Sequence, residues 1–229
     1  MGNTKWRSDI REYGAARTAS FSTVLTNQVE LTGSIIVGNT ASYVRIDQRY
    51  GLRLTGIDAW EDLRFPVSAV QVNQSKSKPD QITLPRGVRA FGFDNTGSED
   101  VHFWVQMPHR WRQGTALSAH VHWTPTSTAT GNVCWELHYS VADINGSFAA
   151  LATMLGTDYT SGQNNRHLYC DLGDIDMSAV TGVSAMIACK LFRRGDYAID
   201  TYGADAGLLE IDFHYRIDSL GSDQEATKS

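Results

Sequence analysis

In 229 residues the chain has only three cysteines, Cys134, Cys170 and Cys189. They are odd in number, widely spaced and outside any C-x-x-C, which excludes a disulfide framework and a thiolate zinc ribbon. They read as small strand-face residues of a protein made in a reducing compartment. No apolar run approaches a membrane span, and the start, MGNTKWRSDI, lacks a hydrophobic signal-peptide core, so neither a membrane partner nor secretory export is expected. Basic clusters are also missing. With 20 Lys and Arg against 25 Asp and Glu, a formal charge of -5 and only the short pairs Arg110/Arg112 and Arg193/Arg194, no nucleic-acid partner is expected. The chain carries no P-loop, G-x-S-x-G, H-E-x-x-H or dinucleotide fingerprint and no long amphipathic helical repeat. No catalytic residue and no cofactor are therefore assigned.

What is present is alternation. Val101 to Tyr139 holds four of the six tryptophans and five of the seven histidines. Its pattern predicts three consecutive antiparallel strands with one apolar and one histidine-bearing side. Val101, Phe103, Val105 and Met107 alternate with His102, Trp104 and Gln106; Leu117, Ala119, Val121 and Trp123 with Ser118, His120 and His122. Val133, Trp135, Leu137 and Tyr139 alternate with Cys134, Glu136, His138 and Ser140. Near the end, Leu209, Ile211, Phe213, Tyr215 and Ile217 alternate with Glu210, Asp212, His214, Arg216 and Asp218. Roughly eight such strands between Val88 and Asp218 predict an all-β fold, a jelly-roll-type β-sandwich head over residues 58–222. Trp104, Trp123 and Trp135 are first explained as packing residues.

Ahead of that head the composition changes twice. Residues 1–17 are polar and charged and read as an N-terminal arm, a possible docking segment. Residues 18–57 are rich in Ser, Thr, Asn and Gly, with apolar couplets between turn signals. Strands so short either add to a neighbouring sheet or intertwine with copies of themselves as a fibre-like shaft. Residues 223–229 read as a disordered polar tail.

The sharpest chemical pattern is His120-Val121-His122, since residues two apart on a strand share a face and two imidazoles can meet one metal ion. With Gly114 six residues before His120, it is similar to the first half of a cupin metal motif. Pro125 and Thr126, however, stand where that motif places a glutamate. Glu136 and His138 would complete such a site if register set them opposite His122 and His120. Asp212-x-His214 and Asp171-x-x-Asp174-x-Asp176 carry acid-base atoms, but alternating charge on an exposed strand gives such pairs by default. Trp111, Tyr159, Tyr197 and Tyr202 fall on predicted loops and are candidates for stacking on sugar rings.

Several segments, in order, carry a resemblance: Trp60-Glu61-Asp62-Leu63-Arg64-Phe65-Pro66, Gln106-Met107-Pro108-His109, Ala119-His120-Val121-His122-Trp123, Gly131-Asn132-Val133-Cys134-Trp135, and Leu209 to Ser222. Together they resemble a group of virion structural proteins of tailed bacteriophages and prophages. The resemblance implies a non-catalytic fibre, spike or decoration protein, a homotrimer located in the virion. Its arm would dock on other virion proteins, and its head would be free to contact a host-surface glycan. Threefold symmetry would give His120, His122 and Glu136 a place at the subunit interface. The alternatives are a cupin-like metal-dependent enzyme using His120 and His122, and a carbohydrate-binding jelly-roll module.

Overall fold

A computed structural model describes residues 35–47, 51–72 and 78–228. The 1–17 arm and the first half of the 18–57 segment lie outside the described residues. Among the described residues fourteen strands follow one another: β1 (Ile35–Gly38), β2 (Tyr43–Asp47), β3 (Gly51–Thr55), β4 (Ala59–Pro66), β5 (Gln71–Val72), β6 (Asp80–Thr83), β7 (Arg89–Phe93), β8 (Ser98–Gln106), β9 (Leu117–Pro125), β10 (Thr130–Ala142), β11 (Ala152–Ser161), β12 (Leu168–Ile175), β13 (Met186–Arg194) and β14 (Ala206–Ile217). The described helical content is two three-residue 3-10 turns, Val67–Ala69 and Pro85–Gly87.

The last eight strands wind as a jelly roll. One sheet has the order β11-β10-β13-β8 with β5 on its edge; the other has β12-β9-β14-β7 with β6 beyond. β14 is long enough to carry two neighbours on one edge, β7 beside Ala206–Leu208 and β4 beside Glu210–Ile217. Among these eight, consecutive strands thus cross between sheets, except β10 and β11, which pair directly. β8, β9 and β10 do not form one sheet, as their shared pattern predicts: β9 lies in the second layer, and β13 separates β8 from β10. Alternation assigns a side chain to a face but says nothing about which strand lies next door.

Between the layers the apolar positions meet as predicted. Val101, Phe103, Val105, Met107, Leu117, Ala119, Val121, Trp123, Val133, Trp135 and Leu137 are all buried. Rings interlock across the gap, Phe65 with Phe103 at 5.5 Å and Phe93 with Trp135 at 5.2 Å between centroids. Trp123 and Trp135 are fully buried, each contributing on the order of 1.5–3 kcal/mol. Trp104 differs: it points out of the sandwich, half exposed, with its ring edge-on to Phe148. The three cysteines are buried and unpaired, and burial pushes the Cys134 thiol up to about 11 and the Cys170 thiol up to about 12. Gly156 marks where β11 comes against β12, because a Cβ there would collide with the Asp171 carbonyl oxygen.

The second half of the proposed shaft, β1-β2-β3, is an antiparallel meander within one chain. It is tied to the strand end of the sandwich by an amide of Leu54 donating to the Asp218 carbonyl and an amide of Leu220 donating to Leu52. The tail also returns to the body: the Lys228 ammonium donates to the Trp111 carbonyl and to Asp218.

A buried cation stitches the β13–β14 connection. Arg193, fully buried, forks onto Asp200 (2.8 and 3.0 Å) and donates to the carbonyls of Phe93, Ala204 and Tyr202. A guanidinium has five N–H donors, and here all are used, so its desolvation is offset by bonds on every side.

Glu99 is the opposite case. Burial pushes its carboxyl up to about 7, with Asp94, Asp80 and Asp205 adding to the rise and a hydrogen bond from the Asp94 amide only partly opposing it. The native state therefore keeps a proton that the unfolded chain releases near 4.5. Stability from this group is full below about pH 4.5 and falls as pH rises to about 7, by on the order of 1–3 kcal/mol. Urea unfolding across that window should show the slope in the wild-type chain and lose it in Glu99→Gln; an identical slope in both would remove Glu99 as its source.

Candidate functional site

The outward face of β12-β9-β14-β4 collects most of the unusual chemistry. β9 turns Ser118, His120 and His122 away from the core, because Leu117, Ala119, Val121 and Trp123 fill it. On β14 the parity changes at Leu209. Leu208 pairs with Trp123 and Glu210 with His122, so Leu209 is an extra residue, a β-bulge. Past it Ile211, Phe213 and Tyr215 point inward and Glu210, Asp212 and His214 outward. The expected inward Leu209 instead lines the outer cleft. Register then sets Asp212 opposite His120 on one side and Arg64 on the other. β12 brings Tyr169 beside His122 and Asp171 beside His120; β4 brings Asp62 beside His214 and Trp60 beside Arg216.

Asp212 is the hub. Its Oδ1 lies 3.6 Å from His120 Nδ1 and 3.3 Å from His122 Nε2, and its Oδ2 lies 3.2 Å from His214 Nε2. His214 Nε2 is also 3.2 Å from Asp62, and His120 Nε2 is 3.8 Å from Asp171. The imidazoles of His120 and His214 are 4.4 Å apart between centroids. Burial alone would push the Asp212 carboxyl up, yet the surrounding imidazoles hold it well below the usual carboxylate range. His122 is raised in turn by the contact with Asp212, against its own burial, and its Nδ1 meets His167 Nε2 at 2.7 Å. Although the imidazoles are close, His120 Nδ1 and Asp212 Oδ1 are buried and have no hydrogen bond of good geometry.

Two shallow clefts open here. One, of about 310 Å³, is lined by Asp62, Arg64, His122, His167, Leu209, Glu210 and Asp212. Its Arg64 forks onto Glu210 at 2.5 and 2.7 Å. The other, of about 400 Å³, is lined by Trp60, Ser118, His120, Tyr169 and His214. Trp60 and Tyr169 are 53% and 58% exposed, far more than the other aromatics near this sheet.

The candidates named from sequence divide sharply. His120 and His122 stand in the site. Glu136 and His138 do not complete it, because β10 belongs to the opposite sheet; there Glu136 binds His138 at 2.5 Å and Arg194 at 3.0 Å on the other outer face. Trp111 and Tyr202 are buried rather than exposed on loops. The Trp111 indole donates to the Thr115 carbonyl, and the Tyr202 hydroxyl meets Ser127. Tyr159 is exposed, on strand β11, and Tyr197 lies at the β13–β14 turn under the Arg194 guanidinium. Asp212-x-His214 is no solvated pair: Asp212 is 3% exposed. Only the β9–β14 register, which no local pattern encodes, reveals that.

No family model matches the chain, and no curated protein matches it. Among solved structures it is similar to dimeric latent PorU from Porphyromonas gingivalis, at 13% identity over 71% of this chain and 13% of that one, with a TM-score of 0.33. It is also similar to TmCBM61 in complex with β-1,4-galactotriose, at 12% identity over 69% and 88% of the two chains and a TM-score of 0.25. A third likeness is to CBM28, a carbohydrate-binding module specific for non-crystalline cellulose, at 10% identity over 67% and 89% and a TM-score of 0.28.

Burial separates the aromatic candidates by stability. Trp111→Ala should cost about 3–5 kcal/mol in urea unfolding, and Tyr159→Ala should leave the midpoint near wild type. Equal, small losses from both would contradict the buried placement of Trp111.

Proposed function

We propose that the chain is a non-catalytic recognition protein of a tailed-phage virion that contacts a host-surface glycan through the outer face of β12-β9-β14-β4. The observation that carries the reading is the pair of exposed rings, Trp60 and Tyr169, bordering one cleft whose floor is Ser118, His120 and His214. Sugar C–H faces pack on aromatic faces, and imidazole and hydroxyl groups exchange hydrogen bonds with ring hydroxyls. A rigid sheet holds these groups in place before any ligand arrives, which lowers the ordering cost of binding. The virion assignment is supported by the phage-like segments, of which Trp60–Pro66, Ala119–Trp123 and Leu209–Ser222 are β4, the middle of β9 and most of β14. Those are three of the four strands of this face, the fourth being β12. The chain works as a homotrimer docked through its N-terminal arm. Glu136 lies on the opposite outer face from His120 and His122, so the three do not form one contact surface, and the glycan reading leaves the histidine face uncovered.

A glycan array probed with the folded full-length chain should give hits that Trp60→Ala and Tyr169→Ala each weaken at least about tenfold. An array without hits, or hits indifferent to both substitutions, would overturn the glycan reading. Light scattering should return the mass of three copies; a monomer would remove the trimer.

A further inference from the structure

We propose that His120, Asp212 and His214 form a binding site for a divalent transition-metal ion of the zinc class. The proposal goes beyond the glycan reading and does not rest on it. These residues offer two imidazole nitrogens and a carboxylate oxygen, all within 4.8 Å of one another. Zinc takes such donors at about 2.0–2.2 Å in a tetrahedron, so neighbouring donors sit roughly 3.3–3.5 Å apart. The nearest approaches, 3.6 Å from His120 Nδ1 to Asp212 Oδ1 and 3.2 Å from His214 Nε2 to Asp212 Oδ2, are close to that edge length, one to each carboxylate oxygen.

Unmet bonding points the same way. His120 and Asp212 are 7% and 3% exposed, and His120 Nδ1 and Asp212 Oδ1, 3.6 Å apart, are both without a hydrogen bond. Buried polar atoms are normally satisfied, and a shared cation would satisfy both at once. The opposite outer face shows what a settled buried carboxylate looks like: Glu136 is closed by His138 at 2.5 Å and by Arg194. Around Asp212, by contrast, three imidazoles approach and none bonds well.

The surroundings fit an ion as well. Asp171 lies behind His120, 3.8 Å from its far nitrogen, in the place of the carboxylate that orients a metal-bound imidazole. Asp62, 3.2 Å from His214 Nε2, is within reach as a fourth ligand, and the positive charge of nearby Arg64 is taken up by Glu210. Entry is through the cleft of Trp60, Ser118 and Tyr169, onto which His214 opens with 40% of its side chain exposed.

The test is calorimetric titration of the tag-free, chelator-treated full chain with zinc alone, with circular dichroism on every variant. One zinc per chain should bind. His120→Ala, Asp212→Asn and His214→Ala should each weaken it at least about tenfold, and His138→Ala, on the other sheet, should not. Because His120 and Asp212 are buried, their variants can fail to fold; His214→Ala, at a partly exposed position, keeps the test decisive. A wild-type chain that takes up no zinc, or a stoichiometric site that survives His214→Ala, would overturn the proposal. No sugar enters the experiment, so a silent glycan array leaves its outcome untouched.

Discussion

One inserted residue governs the face on which this account rests. Leu209 has no partner on β9, and because side chains alternate with a period of two, that single insertion changes which residues of β14 point outward. With the bulge, Ala206 and Leu208 pack inward before it and Ile211, Phe213 and Tyr215 after it. Asp212 then comes to lie beside His120. Without it, either the core set or the Asp212–His214 set would be on the wrong side. The same strand carries β7 on its first half and β4 on its second, so the bulge also positions Asp62, Arg64 and Trp60 around the site.

The two outer faces of the sandwich are built from similar residues and behave differently. On β8-β13-β10, Glu136 is closed by His138 and Arg194, and Asp100 lies 2.7 Å from His102 and 3.5 Å from Lys190. Charges there are neutralised in pairs, the usual condition for carboxylates held out of water. On β9-β14 the buried carboxylate of Asp212 faces three imidazoles at 3.2–3.6 Å, and its Oδ1 has no hydrogen bond of good geometry. The first arrangement stabilises the fold; the second gathers nitrogen and oxygen donors of His120, Asp212 and His214 within 4.8 Å of one another. The aromatic rings are divided likewise: Trp111, Trp123, Trp135 and Tyr202 serve the core, and Trp60 and Tyr169 stand over the imidazole face.

Much of the fold was legible in the sequence. Period-two alternation gave the inward set of β8, β9 and β10 and most of β14, and the count of strands pointed to the jelly roll. What alternation could not supply was neighbourhood. The strands bearing His120 and His138 look like consecutive members of one sheet, and the crossing connections of the jelly roll put them in different layers. Asp212-x-His214 looks like an ordinary solvated pair because Asp212 is flanked by β9 and β4, both distant in sequence. Trp111 follows a proline in an Arg-flanked turn, a loop signal, yet its indole is drawn into the core by an isolated bridge to Ile217. In each case the missing information was a long-range pairing, and no short window contains it.

The most direct measurement is diffraction from crystals of the full chain grown with zinc, recorded on both sides of the zinc absorption edge. The account predicts an anomalous peak bonded by His120, Asp212 and His214, with Leu209 bulged from β14 beside it. A refined structure in which those three side chains diverge, or in which zinc sits only elsewhere on the chain, would contradict it.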